Sequence, residues 1–135
     1  MSNDAAIART SAPIVLVVDD VPAIRELLKD LLGTEGYDVL EASNGVQALD
    51  QVGRVRPSAI LMDLMMPIMS GAEATSRLKA DPTTAAIPVL AMSAGRNLTA
   101  TALNIPADDF IPKPFDLTEL IDTLAHHAMQ AVPQP

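Results

Sequence analysis

Residues 14–20 read IVLVVDD, an apolar run of five residues followed by two acidic ones. Ile14–Val18 has the length of a strand, and its continuous β-branched and aliphatic content is typical of a strand buried on both faces. Such strands belong to parallel sheets that helices cover on both sides. Asp19 and Asp20 then follow the carboxyl end of the strand, where open α/β sheets bind their ligands.

A helix is predicted directly after this strand. Apolar residues recur with helical spacing from Pro22 to Leu32, and Pro22 suits the first turn of a helix. Gly33 and Gly36 are expected to mark its end. The predicted buried stripe of this helix consists of Ile24, Leu27, Leu28, Leu31 and Leu32.

The same alternation of strand and helix continues along the chain. Further strands are predicted over Tyr37–Ala42, Ser58–Met62, Pro88–Met92 and Phe110–Pro112. Helices are predicted after the cap residue Asn44 as far as Arg54, over Ala72–Ala80, over Asn97–Leu103 and over Asp116–Met129. Five such alternations predict an α/β fold, a doubly wound parallel sheet with helices on both faces.

Composition narrows the possible classes of function. The chain has 135 residues, no cysteine, 2% aromatic residues and a formal net charge of −8. This length fits one domain with an aliphatic core, and the absence of cysteine excludes disulfides and thiolate chemistry. Nine scattered basic residues argue against a nucleic-acid partner. With neither a signal peptide nor an apolar run of about 18 residues, the expected protein is soluble and cytoplasmic, without a membrane partner.

Reactive polar side chains follow four of the five predicted strands. They are Asp19 and Asp20, Asp63, Ser93 and Lys113. Because the carboxyl ends of parallel strands meet at one edge, these side chains are expected to share a pocket. Carboxylates about 4 Å apart repel by on the order of 4 kcal/mol per pair at an effective dielectric near 20, and a divalent cation relieves that repulsion. Oxygen ligands without His or Cys favour Mg²⁺ over zinc.

The remaining polar groups suit phosphoryl transfer. Lys113 offers a fixed positive charge, and the Ser93 hydroxyl can donate to a phosphoryl oxygen. Phosphoryl transfer depends mainly on positioning and on neutralisation of charge. A carboxylate nucleophile, a metal site, a cation and a hydroxyl donor are sufficient for it.

The sequence resembles the receiver domain of two-component response regulators. The matching pieces are Asp19-Asp20 after IVLVV, DLMMPIMSG from Asp63, Ser93-Ala94 after PVLAM, and ADDFIPKPF with Lys113-Pro114-Phe115. The resemblance covers about Ile14 to Met129, and it implies a five-stranded flavodoxin-like sheet in the order 2-1-3-4-5. A stand-alone receiver domain over residues 13–130 is expected, with flexible tails at 1–12 and 131–135.

The resemblance also implies a metal site and a phosphoacceptor. Asp63 is expected to become an aspartyl phosphate. Asp19, Asp20, Asp63 and the backbone carbonyl of Met65 are expected to bind Mg²⁺, one of the acidic pair through water.

Three further residues have roles implied by the resemblance. Lys113 is expected to assist at the phosphate, with a cis Lys113-Pro114 bond, and Ser93 and Phe110 are expected to form the switch. Phe110 departs from the Tyr or His that is common at this position, and the segment from Gly95 to Ala107 looks shorter than usual. His126 and His127 are expected to be surface residues.

The expected function is phosphorelay signalling, with a histidine kinase or histidine phosphotransfer protein as donor. The expected output is an altered interaction with an unknown downstream protein, through the fourth helix, the fifth strand and the last helix. The protein is expected to be a monomer or weak dimer and not an enzyme, since it assists only its own phosphorylation and dephosphorylation. The alternative is a phosphorylation-independent interaction module on the same fold. A magnesium phosphatase would usually carry Asp-x-Asp at the first strand, and a flavodoxin-like cofactor binder would need a phosphate loop after Val18.

Overall fold

The computed structural model of the chain describes residues 12–94 and 105–131. Within these ranges the strands are β1 Ile14–Val18, β2 Asp38–Ala42, β3 Ala59–Asp63, β4 Val89–Ala94 and β5 Asp109–Lys113. The helices are α1 Pro22–Thr34, α2 Gly45–Arg54, α3 Gly71–Ala80 and α4 Leu117–Ala131. The helix predicted over Asn97–Leu103 lies outside the described residues, as does nearly all of the two predicted tails, 1–12 and 131–135.

The five strands form one parallel sheet in the order β2-β1-β3-β4-β5. This is the doubly wound, flavodoxin-like α/β fold that the sequence predicted. Val18, the last residue of β1, is opposite Ala42 on one side and Met62 on the other. Asp63 at the end of β3 is opposite Met92 of β4. The carboxyl ends of the strands therefore lie side by side at one edge of the sheet.

The apolar run of β1 is buried because both faces of the sheet are covered. Successive side chains of a strand point to opposite faces. Val15 and Val17 accordingly belong to the core under α1 and α4, and Leu16 and Val18 belong to the core under α2 and α3. The helical residues of the first core are Leu28, Leu32, Leu120, Leu124 and Ala128, and those of the second are Ala48, Val52, Ala74 and Leu78. Each fully buried Val or Leu side chain stabilises the fold by about 1.5–3 kcal/mol, and each buried Ala by less.

The stripe predicted for α1 was one residue too wide. Leu28 and Leu32 are fully buried, but the Leu27 side chain is 45% exposed. At about 100° per residue, Leu27 lies at the edge of the stripe, a quarter turn away from Leu28. The helix also runs past Gly33, and the left-handed residue that follows its end is Gly36, with φ of 96°.

Three of the four described helices begin at a side-chain cap, whereas α1 begins at Pro22 without one. The Asn44 side chain accepts a hydrogen bond from the Gln47 N–H at 2.9 Å, which confirms its prediction as the cap of α2. Asp116 accepts one from the Glu119 N–H at 3.0 Å just before α4. The Ser70 cap of α3 was not predicted. A cap of this kind is worth about 1 kcal/mol.

Among the described residues, no helix has both the length and the apolar character that a bilayer span requires.

Candidate functional site

The structure brings the three predicted acidic residues together at the carboxyl edge of the sheet. Asp19, Asp20 and Asp63 each offer a carboxylate oxygen, and these oxygens all lie within 4.8 Å of one another. The cause is the register of the two central strands, because β1 and β3 are neighbours that end level. Asp19 is fully buried, Asp63 is 6% exposed, and Asp20 is exposed.

Hydrogen bonds hold both the backbone and the carboxylate of Asp19 in place. Its backbone N–H donates to the Ala42 carbonyl at 3.1 Å, which ties it to the end of β2. Its Oδ1 accepts from the Val21 N–H at 2.9 Å, and its Oδ2 accepts from Lys113 Nζ at 2.8 Å. A buried carboxylate is tolerated only with partners of this kind.

Lys113 links the two buried carboxylates. It is the last residue of β5, and its Nζ lies 2.8 Å from Asp19 Oδ2 and 3.5 Å from Asp63 Oδ1. The Lys113–Pro114 peptide bond that follows is cis, as expected. Three carboxylates with one ammonium group leave two negative charges at the edge of the sheet.

Burial raises the pKa of Asp63 above its ordinary value. Lys113 opposes this increase, Asp19 adds to it, a hydrogen bond from the Met65 N–H at 3.4 Å opposes it, and Asp20 adds to it. The net direction is upward. The surroundings of Asp63 therefore favour its protonated form over its ionised form, and an added cation would reduce the free-energy cost of ionising it.

The donor set fits a divalent, oxygen-binding cation. The three clustered side chains offer carboxylate oxygens, the ligands that Mg²⁺ prefers, and the two excess negative charges match its charge. Met65, the expected source of a carbonyl ligand, is in the loop that follows Asp63. Its side chain is 76% exposed.

Two glycines shape the loop between β3 and α3. A Cβ atom on Gly71 would lie 1.9 Å from the backbone oxygen of Asp63, so only glycine fits at the start of α3. A Cβ on Gly45 would lie 2.7 Å from the Met69 side chain, and the Gly45 N–H donates to the Met69 carbonyl at 3.0 Å. Neither glycine was predicted to have a role at the site, although Gly71 ends the matching piece DLMMPIMSG.

Ser93 lies on β4 and Phe110 lies on β5, the strand next to β4 in the sheet. Ser93 follows Met92, which is opposite Asp63, and it is opposite Pro112 of β5. It is 8% exposed. Phe110 is half-buried against a small apolar cluster that consists of Leu64, Ala91 and Ile105. The register thus puts Ser93 at the same edge as the carboxylates and Phe110 further back on β5.

Two side-chain contacts were not predicted from the sequence. Arg25, on the polar side of α1, donates to the Asp19 backbone carbonyl and pairs with Glu41. His127, expected to be a surface residue, is partly exposed. Its side chain is 18% exposed, and its Nε2 lies 3.0 Å from Asp109 Oδ2. That contact is at the far end of β5 from Lys113.

The chain is similar to many known proteins. A sequence model of the response regulator receiver domain matches residues 15–125. The response regulator MprA of Mycobacterium leprae is 40% identical over 109 residues, which are 79% of this chain and 47% of that protein. The chain thus spans about half the length of the curated relatives it matches.

Solved structures show the same likeness. The signal receiver domain of a signal transduction histidine kinase from Syntrophus aciditrophicus has a TM-score of 0.86 and 29% identity, over 92% of this chain and 96% of that one. The receiver domain of the sensor histidine kinase PA1611 from Pseudomonas aeruginosa has a TM-score of 0.82 and 28% identity, over 88% of this chain and 99% of that one. In that structure a magnesium ion is coordinated in the active-site cleft. The chain belongs to the response regulator receiver domains of two-component phosphorelay signal transduction.

Proposed function

We propose that Asp63 accepts a phosphoryl group from a phosphohistidine on a histidine kinase or histidine phosphotransfer protein. The observation that carries this proposal is the cluster of three carboxylates, with Lys113 Nζ 3.5 Å from Asp63 Oδ1. In this proposal Asp63, which is nearly buried, is the nucleophile, and Asp19 and Asp20 beside it are the metal ligands. The clustered oxygens can hold a metal ion.

In the proposed reaction, an ionised oxygen of Asp63 attacks the phosphorus of the phosphohistidine. A phosphorus–oxygen bond forms and the phosphorus–nitrogen bond breaks; the imidazole nitrogen keeps the electron pair of that bond and takes up a proton. Mg²⁺ bound by Asp19, Asp20, Asp63 and the Met65 carbonyl would supply positive charge to the oxygens of the transferring group. The protein's own part is to hold its acceptor oxygen in place and to exclude competing geometries.

Lys113 supplies the fixed positive charge of the proposed site. Its Nζ contacts both Asp19 and Asp63, so it already compensates the charge on the acceptor. When the phosphoryl group is added, the same ammonium group is within reach of the new oxygens. Asp19 then keeps its hydrogen bond from the Val21 N–H.

The proposed output is a change of partner and not the turnover of an external substrate. Ser93 and Phe110 form the switch that responds to the phosphoryl group, and the face containing β5 and α4 binds a downstream protein. Phe110 packs against the cluster that contains Leu64, the residue directly after Asp63, and this cluster is the proposed route by which a movement near Asp63 reaches that face. The protein assists only its own phosphorylation and dephosphorylation in this scheme.

The test is incubation with acetyl phosphate, with and without Mg²⁺, followed by measurement of the intact mass. The expected result is a magnesium-dependent gain of one phosphoryl group that Asp63→Asn lacks. Asp50→Asn is the matched control, because Asp50 is an exposed residue of α2 paired with Arg54, and it should gain the group as the unchanged protein does. If Mg²⁺ binds to the folded protein but no phosphoryl group is gained, the interaction module without phosphorylation becomes the better description.

A further inference from the structure

Arg25 connects the acidic pair to the neighbouring strand. Its Nη1 donates to the backbone carbonyl of Asp19 at 2.8 Å, and its Nε donates to Glu41 Oε1 at 3.1 Å. Its side chain is only 19% exposed. Arg25 is on α1 and Glu41 on β2, so one guanidinium group joins these two elements to the loop that follows β1.

The carbonyl that Arg25 holds belongs to the peptide unit between Asp19 and Asp20. The orientation of that unit decides where the Asp20 backbone continues, and so where its carboxylate can reach. The buried side chain of Asp19 is held by Val21 and Lys113, whereas Asp20 is exposed. The link from Arg25 thus holds the peptide unit before Asp20, and the hydrogen bond from the Val21 N–H to Asp19 holds the peptide unit after it.

Glu41 is a firm anchor for this link. It lies on β2, whose neighbour β1 leads into Asp19, and the Asp19 N–H already donates to Ala42 of the same strand. Lys29 Nζ lies 3.7 Å from the other oxygen of Glu41. Glu41 therefore keeps a cationic partner when Arg25 is replaced, which limits the loss of stability that such a replacement causes.

We propose that Arg25 is a positioning residue for the metal site, which acts by clamping the Asp19–Asp20 peptide unit to Glu41. The inference rests on the proposed function, since it takes Asp19 and Asp20 as ligands of Mg²⁺. The guanidinium group is suited to the task because its nitrogens point in fixed directions and can serve two separated acceptors. Residues that orient metal ligands in this way typically contribute about 10–100-fold to metal affinity.

Electrostatics alone predicts the opposite sign. A positive charge close to a cation site repels the cation, so its removal should strengthen Mg²⁺ binding. The positioning role predicts that removal weakens binding, because the peptide unit before Asp20 is released. The direction of the change in Mg²⁺ affinity therefore separates the two roles of Arg25.

The experiment is calorimetric titration of Mg²⁺ into the full chain and into Arg25→Met and Arg25→Lys. Methionine keeps much of the apolar stem, and lysine keeps the charge without the two-pronged donor geometry. We expect both variants to bind Mg²⁺ about 10-fold more weakly than the unchanged protein. Arg54→Met removes an exposed arginine of α2 and should leave the affinity unchanged. Circular dichroism and the unfolding midpoint in the absence of Mg²⁺ report whether each variant is folded.

Each outcome bears on a different claim. Tighter or unchanged binding in Arg25→Met, or unchanged binding in Arg25→Lys, would overturn the positioning role. Failure of the unchanged protein to bind Mg²⁺ would instead overturn the proposed function. If Arg25→Met does not fold, Arg25→Lys carries the test, because it keeps the positive charge and changes only the geometry of the link. Unchanged Mg²⁺ affinity in a folded Arg25→Lys variant then overturns the proposal.

Discussion

Replacing Gly71 with alanine should damage both the fold and the site. The added Cβ would lie 1.9 Å from the backbone oxygen of Asp63, 2.8 Å from its carbonyl carbon and 2.9 Å from the Cα of Leu64. All three atoms belong to the backbone, which cannot rotate away as a flexible side chain can. Reaching ordinary contact at 3.4 Å requires a displacement of about 1.5 Å.

The size of the effect follows from what that displacement disturbs. Overpacking in a close-packed region costs about 1–3 kcal/mol. The shift would also strain two backbone hydrogen bonds, Gly71 N–H to the Leu64 carbonyl and Leu64 N–H to the Met92 carbonyl, both 3.1 Å long. At about 1 kcal/mol each, these bring the expected loss of unfolding free energy to roughly 3–5 kcal/mol. The total free energy of unfolding of such a domain is only about 5–15 kcal/mol.

Urea unfolding followed by circular dichroism measures this loss, and a thermal scan should show a midpoint lower by about 10 °C or more. Gly53→Ala is the matched control, because a Cβ on Gly53 meets nothing within 4 Å. Alanine there should stabilise α2 by about 0.5–1 kcal/mol. A Gly71→Ala variant within 1 kcal/mol of the unchanged protein would show that the backbone around Asp63 yields easily, contrary to the close packing described above.

Three further substitutions should stabilise the protein, each measurable by urea unfolding. Asp63→Asn should raise the unfolding free energy at neutral pH in magnesium-free buffer. Because the folded-state pKa of Asp63 is raised, the folded state binds the proton more tightly, so the stability of the unchanged protein falls as pH rises from about 3.9 through that pKa; an equal fall in the variant would contradict this origin. Thr75→Val should add about 1 kcal/mol, since the buried Thr75 hydroxyl has no hydrogen-bond partner among the described residues, and a loss would indicate a missed partner. Ile68→Gly should add about 0.5 kcal/mol because Ile68 has φ of 72° and is 81% exposed, and destabilisation would mean that its side chain packs usefully.

The sequence predicted the sheet and the clustering of its acidic residues because both follow from local patterns. The run IVLVV specifies a buried parallel strand, and polar residues directly after such strands must meet at one edge. Asp19, Asp63 and Lys113 are distant in sequence, yet the order of the strands brings them together.

The features that the sequence analysis missed depend on tertiary contacts. Arg25 has the spacing of a solvated residue on α1, and only the position of β2 shows that it reaches Glu41. His127 gave no signal either, because its partner Asp109 lies 18 residues earlier, on β5. Leu27 was misplaced since an apolar residue at the edge of a stripe fits the helical period whether or not it is covered.

Whether Asp63 carries the phosphoryl group is tested most directly by trapping the acyl phosphate. The protein is treated with acetyl phosphate and Mg²⁺ and then with borohydride, which reduces an aspartyl phosphate to homoserine, and the peptides are sequenced by mass spectrometry. Homoserine at position 63, and only after treatment with both acetyl phosphate and Mg²⁺, is the expected result. Homoserine at position 19 or 20, or at no position in a protein shown to be folded, would contradict the assignment of Asp63 as the phosphoacceptor.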